Sequence, residues 1–275
     1  MAVTEELSNA QTNNTFITEP ILERSEWASH EFGNALLGDP RRTDRLIKIA
    51  KERAAKPSVS LPQCFDKQSE LKAAYRFYDN PGINREAILK SHYLATQERL
   101  NQENVVLAVS DTTEVDYSHY QSKQGLGYLH DRNHHGFLLH STEGVTPSKV
   151  PLGLLDQQII YRDEKDFGKK HDRKKRPIEE KESYKWLKNL EAVAEAQKNH
   201  PDVLIVNVAD RESDIYDYFV RAQNLNDQAL LIRCAWNRCI DDDDQNYLWE
   251  YVESQDEAGI LPVEIPRKPG TSTYR

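Results

Sequence analysis

The 275-residue sequence has no apolar run approaching the roughly 18 residues a membrane-spanning helix needs, so no such helix is expected. Its first residues, MAVTEELSNAQTNNTF, carry acids and amides where a secretory signal needs a basic flank and an apolar stretch. A cytoplasmic location is the expectation. Cysteine is scarce: Cys64, Cys234 and Cys239 are too few and too scattered for a disulfide framework. Cys234 and Cys239 lack a second ligand pair, which argues against a zinc site there. Positive charge is also short, with 36 Lys and Arg against 45 Asp and Glu and a net charge of −9. That balance argues against a generically sticky nucleic-acid binder but leaves local basic patches open. One patch is GKKHDRKKR, residues 168–176, although charge runs are most often solvated loops.

What is present divides into two grammars. Residues 1–20 lack hydrophobic periodicity and read as a disordered lead-in. From Ser25 the pattern is helical. Ser25 can cap SEWASHEFGNALLG, with Gly38 as the stop. In DPRRTDRLIKIAKERAAKP, Asp39 suits the N-cap, Pro40 the first helical position, and Pro57 the end. DKQSELKAAYRFYDNP and NREAILKSHYLATQERL add two amphipathic helices, making residues 21–101 a helical module. Its second helix carries Arg41, Arg42, Arg45, Lys48, Lys51 and Arg53; the next adds Lys67, Lys72 and Arg76. Basic helices suit phosphate contacts, while the plainer reading is a solvated face with interspersed acids.

After Glu103 the grammar changes. NVVLAVSD, HGFLLHSTEG and KVPLGLLDQQIIYR read as three strands, and EKESYKWLKNLEAVAEAQKN as a long crossover helix. DVLIVNVAD is a fourth strand, DIYDYFVRAQN a helix and QALLIRCAW a fifth strand. The crossover predicts that the fourth strand enters the sheet parallel to the first. Beyond Trp236, NRCIDDDDQNYLWEYVESQDEAG is acidic and mixed, followed by an expected strand in ILPVEIPRKPG.

The first and fourth strands both deliver an acid at their C-terminal ends, Asp111 and Asp210. In open α/β sheets that edge is where ligands are handled. Two neighbouring carboxylates repel unless a cation or proton lies between them. Hard divalent cations take oxygen ligands, and a carboxylate pair can hold them for phosphodiester chemistry. The bland alternative makes Asp111 a strand-end residue and Asp210 a helix cap.

WASHEFGNALLGDPRRTDRL, AAYRFYDNP, LAVSDTTEVDYS, EKESYKWL and VADRESDIYDYF, in this order between Trp27 and Trp236, resemble the Tn-five-like DDE transposases of bacterial insertion sequences. The resemblance implies an α/β protein with an N-terminal helical DNA-binding domain that recognises transposon ends (21–101), then an RNase H-like mixed-sheet catalytic core (102–238). It implies that Asp111 and Asp210 match the family's first two catalytic aspartates and bind Mg²⁺ or Mn²⁺. The implied activity is nicking, end joining and strand transfer on double-stranded DNA carrying terminal inverted repeats. Family members act as a homodimer on DNA, in a bacterial cytoplasm at the nucleoid.

The family's third acid, a glutamate in a Tyr-Arg-Glu-Lys signature, has no counterpart at the right spacing. YRDEK at 161–165 precedes the crossover helix and does not match. Residues 239–275 therefore read as the start of a β-rich insertion, and the core as incomplete at its C-terminus. A chain lacking the third acid is expected to be inactive or nearly so alone, which makes an inhibitory DNA-binding fragment the competing reading. A metal-dependent nuclease using only two acids is the third. Thr112, Thr113, Arg211 and Glu212 are expected to support the acids rather than ligate, with Arg211 also a candidate phosphate contact. Arg41, Arg42, Arg45, Tyr75 and Arg76 are the candidate DNA contacts of the helical module. His130, His134, His135 and His140 show no ordered ligand spacing and are expected to serve surface or packing roles.

Overall fold

The computed structural model describes residues 26–120, 122–168, 175–226, 228–241, 246–260 and 262. The expected lead-in, the Ser25 cap, most of the basic run at 168–176 and most of the expected strand in ILPVEIPRKPG lie outside the described residues. The described chain is a helical region followed by a mixed sheet. The helices are α1 (Trp27–Phe32), α2 (Pro40–Ala55), α3 (Leu61–Cys64), α4 (Gln68–Tyr78) and α5 (Arg85–Leu100). Next come β1 (Val105–Asp116), β2 (Gly127–Tyr128), β3 (His135–Val145), β4 (Pro151–Ile160), α6 (Tyr184–Asn199), β5 (Leu204–Ala209), α7 (Tyr216–Asn224), β6 (Ala229–Ile232) and α8 (Leu248–Glu253).

The helical region follows its capping chemistry. Asp39 is the N-cap of α2, its carboxylate accepting the Arg41 N–H at 2.9 Å, with Pro40 at the first position. Asn84 caps α5 in the same way. The first helix is shorter than its sequence pattern suggests. It stops at Phe32, because Gly33 and Asn34 are weak helix formers and Ala35 and Leu37 turn inward to the core. Gly38 then takes a positive φ of 78°, reversing the chain into the Asp39 cap. The core is built from Leu46, Ile49, Cys64, Phe65, Leu71, Ala74 and Phe77 on α2 to α4.

In the sheet, β4 and β2 both pair with the outer edge of β3, and the order continues β3-β1-β5-β6. β1 and β3 are antiparallel, as are β3 and β4; β1, β5 and β6 are parallel. The crossover through α6 thus delivers β5 parallel to β1, as the pattern predicts. Val193 and Ala196 of α6 pack on Val106, Ala108, Val203 and Ile205; Trp186, Leu187 and Leu190 pack with Ala209 and α7. Val109, Leu204 and Leu231, which alternate with those inward residues, are exposed on the opposite face.

The helical region is tied to the free edge of β4 by α5. Arg85 donates to the Gln157 carbonyl (3.2 Å) and Oε1 (2.9 Å), and the Leu154 N–H donates to His92 Nε2 at 2.8 Å. Arg99 Nε donates to the Leu152 carbonyl. A helix laid along a strand edge satisfies backbone groups that would otherwise template another strand. Glu31 of α1 closes the junction, accepting from both His92 and Arg99.

Candidate functional site

β1 does not end at Asp111, as its sequence suggests. The β-branched residues Thr112, Thr113 and Val115 carry the strand on to Asp116, still paired with β3 as far as Gly136. What ends near Asp111 is the pairing with β5, whose last matched residues are Ser110 and Ala209. Asp111 and Asp210 are the next residue on each strand, so both stand at the fork where β5 leaves β1.

Their direction follows from the pleat. Ser110 is buried toward α6 and Ala209 toward α6 and α7, so the residue after each turns to the opposite face. Asp111 and Asp210 therefore leave the sheet on its open side from strands about 5 Å apart. Both are exposed. Asp111 Oδ1 accepts the Thr112 N–H at 2.7 Å, and Asp210 Oδ1 accepts the Glu212 N–H at 2.8 Å, capping a 3₁₀ turn at Arg211–Ser213. Among the described residues neither carboxylate is paired with a cationic side chain. Exposed carboxylates with free oxygens and no counter-charge suit a hard divalent cation.

A buried polar cluster fixes the sheet under these acids. Ser110 Oγ lies 3.1 Å from Thr142 Oγ1 and donates to Asn189 Oδ1 of α6 at 3.2 Å, while Asn189 donates to Thr142. Beside it, Thr112 Oγ1 lies 2.9 Å from His140 Nδ1, and the His140 ring meets Trp186 edge-on at 4.5 Å. Burial, followed by the Lys185 charge, pushes the His140 imidazole down to about 4, so it is neutral near pH 7. Lys185 is buried and reaches Glu212 at 3.3 Å and Glu182 at 3.9 Å. Glu182 in turn pairs with Arg162 at 2.6 Å, so the EKESYKWL stretch braces the sheet beneath the acids.

A row of polar side chains leads away from Asp111. Its register partner is Ser141, whose Oγ accepts from Gln157 Nε2 at 3.3 Å; Gln157 is held by Arg85. Sequence reading missed Ser141, Gln157 and Arg85, because no local motif shows a row assembled from three strands and a helix. It also passed over Asp214, a buried acid that accepts the Ala235 (2.6 Å) and Trp236 (3.1 Å) N–H groups and pairs with Arg238.

The basic residues of the helical region sort into two sets. Arg42 donates to the Leu37 carbonyl at 2.8 Å, and Arg45 and Lys48 converge on Glu70, so much of the α2 charge is used within the module. Arg41 is 89% exposed but turned onto Asp39 at 2.8 Å. By contrast α4 exposes Lys72, Tyr75 and Arg76 together, with Lys67 just before its first turn. Lys72 and Arg76 make no ion pair among the described residues. Arg211 is exposed beside Asp210, far in sequence from these helices.

Residues 24–83 match a family model described as transposase DNA-binding. The match spans α1 to α4, and with it Arg41, Arg42, Arg45, Tyr75 and Arg76. It supports a DNA transposase role and binding to DNA, and it locates the DNA-binding domain in the helical region. No helix among the described residues is long and apolar enough to cross a membrane.

Proposed function

We propose that this chain is a DNA transposase of the DDE type, acting by metal-dependent phosphoryl transfer at element ends held by its helical domain. One observation carries the proposal: Asp111 and Asp210 each directly follow the last register pair of β1 and β5, Ser110 and Ala209, and both are exposed without a cationic partner among the described residues. The strand order, with β1 antiparallel to β3 and parallel to β5, agrees with an RNase H-like core. In this reading the two carboxylates hold Mg²⁺ or Mn²⁺, which when bound activates an attacking oxygen and stabilises a leaving one. The 3₁₀ turn capped by Asp210 and the Ser110–Thr142–Asn189 cluster keep both acids in place. The exposed face of α4 takes the DNA backbone through Lys72 and Arg76, while Tyr75 and Arg41 extend that surface; Arg211 faces a phosphate at the acids. The substrate is double-stranded DNA bearing terminal inverted repeats, and the acting species is a homodimer on DNA.

A second reading rests on the helical domain alone: the chain holds element ends through residues 24–83 without cutting them, and competes with an active transposase for the same ends. A nicking assay with Mn²⁺ and an end-bearing duplex separates the two. Weak nicking lost in Asp210→Asn supports the catalytic reading; retention of end binding with no nicking supports the second. Equal affinity for end-bearing and scrambled duplexes across salt concentrations would overturn end recognition in both.

A further inference from the structure

Sequence spacing gives His130, Asp131 and His134 no ligand pattern, yet the structure gathers them at the turn between β2 and β3. One ligand atom from each lies within 4.8 Å of the other two. The turn folds back because the Asp131 carboxylate accepts the backbone N–H groups of Asn133 (2.7 Å) and His134 (3.1 Å). That leaves the two imidazoles stacked, with centroids 4.0 Å apart and planes tilted by 34°. His134 Nδ1 lies 2.8 Å from Asp131 Oδ1, and His130 Nε2 lies 3.8 Å from Asp131 Oδ2. Glu114 on β1 faces the other ring nitrogen of His130, its Oε2 3.7 Å from Nδ1, while its Oε1 lies 3.4 Å from Arg162 Nη1.

We propose that His130, Asp131 and His134, with Glu114 alongside, form a binding site for a borderline divalent transition metal of the Zn²⁺ class, separate from the Asp111–Asp210 pair. Donor chemistry separates the two. Imidazole with carboxylate suits zinc, nickel, cobalt or copper, whereas a carboxylate pair alone suits magnesium or manganese. The size fits as well. Metal–ligand bonds of about 2.0–2.1 Å put tetrahedral ligand atoms about 3.3 Å apart. Closing the trio from its present spread needs only small rotations of side chains at the surface. Bound there, the ion ties the β2–β3 turn to the outer part of β1, the stretch that runs on beyond Asp111 to Asp116. Its effect is to stiffen the β1–β3 ribbon flanking the acids, without touching the reacting atoms.

Zn²⁺ titration of the tag-free full-length chain by calorimetry, in excess Mg²⁺ to occupy the carboxylate pair, tests this directly. The expected result is one equivalent of Zn²⁺ per chain, with a raised thermal midpoint. His130→Gln and His134→Gln should each weaken that binding by about 10- to 100-fold or more. Asp111→Asn should leave it unchanged. His130 and His134 are 57% and 38% exposed, so neither substitution threatens the fold, which circular dichroism verifies. No Zn²⁺ uptake by the wild type, or uptake indifferent to both histidine substitutions, overturns the site. Uptake lost in Asp111→Asn instead assigns the ion to the carboxylate pair and equally overturns it.

Discussion

Ser110 on β1 and Ala209 on β5 are register partners, and each is followed by an aspartate. Because the strands are parallel and the pleat alternates, Asp111 and Asp210 emerge on the same face. If they share an ion, neither can hold it alone. Asp111→Asn and Asp210→Asn should each weaken Mn²⁺ binding at least tenfold (about 1.4 kcal/mol), read from the free Mn²⁺ resonance in a spin-resonance titration. Unfolding free energies should stay within about 0.5 kcal/mol of wild type, since both groups are exposed and asparagine keeps the acceptor that caps the 3₁₀ turn. Loss in one variant but not the other would mean the two acids do not grip a common ion.

The α4 surface has a different signature. Lys72 and Arg76 are exposed and unpaired among the described residues, whereas Arg45 is committed to Glu70. Replacing Lys72 or Arg76 with alanine should lower the slope of log K against log salt by about 0.9 for each phosphate contact removed. Thermal stability should be unaffected. Arg45→Ala should do the reverse, lowering stability with the salt slope unchanged. A slope that responds to Arg45 and not to Arg76 would move the DNA path from α4 to α2.

Glu31 links α1 to α5 and, through it, to β4. Burial raises its carboxyl, but hydrogen bonds from His92 and Arg99, together with the Arg99 charge, outweigh that and hold it at about 2, below its usual 4.5. A depressed carboxyl stabilises the fold above its unfolded pKa, and that stability is lost as pH falls from about 4.5 toward about 2. The amount at neutral pH is on the order of 3 kcal/mol. Glu31→Gln should therefore be less stable than wild type at pH 7 and the gap should narrow below pH ~4, measured by urea denaturation across that range. A constant gap across the same range would show that packing rather than charge accounts for Glu31.

Asp214 anchors the segment after β6. Its carboxylate takes two backbone N–H groups and Arg238, whose guanidinium also lies over the Phe219 ring at 5.0 Å from the centroid. Asp214→Ala strands both amides and the guanidinium at once, and should cost about 3 kcal/mol in chemical denaturation. Asp217→Ala, three residues on and exposed, serves as the control and should change little.

The sequence made α2, α4 and α5 legible because their causes are local. Asp39 and Asn84 are caps within two residues of the amides they hold, and the apolar periodicity of Leu46, Ile49, Leu71, Ala74 and Phe77 runs along single helices. It failed at α1, where a continuous helical pattern to Gly38 concealed the break after Phe32. It failed for α8 too, since a six-residue helix in an acidic stretch has little periodicity to read. β2 is shorter still, held only by two register pairs with β3.

By itself the sequence determined the two-part organisation, the position of the main strands, the parallel entry of β5 after its crossover helix and the acidity of two strand positions. Those follow from side-chain size, polarity and spacing within a few turns or strand residues. It read those strands as buried, whereas one face is open at Val109, Leu204 and Leu231. Only the tertiary structure decided that β1 runs past Asp111, that Asp111 and Asp210 each follow a register pair of β1 and β5, that Arg45 pairs with Glu70, and that the His130 and His134 rings meet at the β2–β3 turn. Each depends on a register or a packing angle between segments distant in the chain. A shift of one residue turns a strand's side chains to the other face, so no local pattern can supply that information.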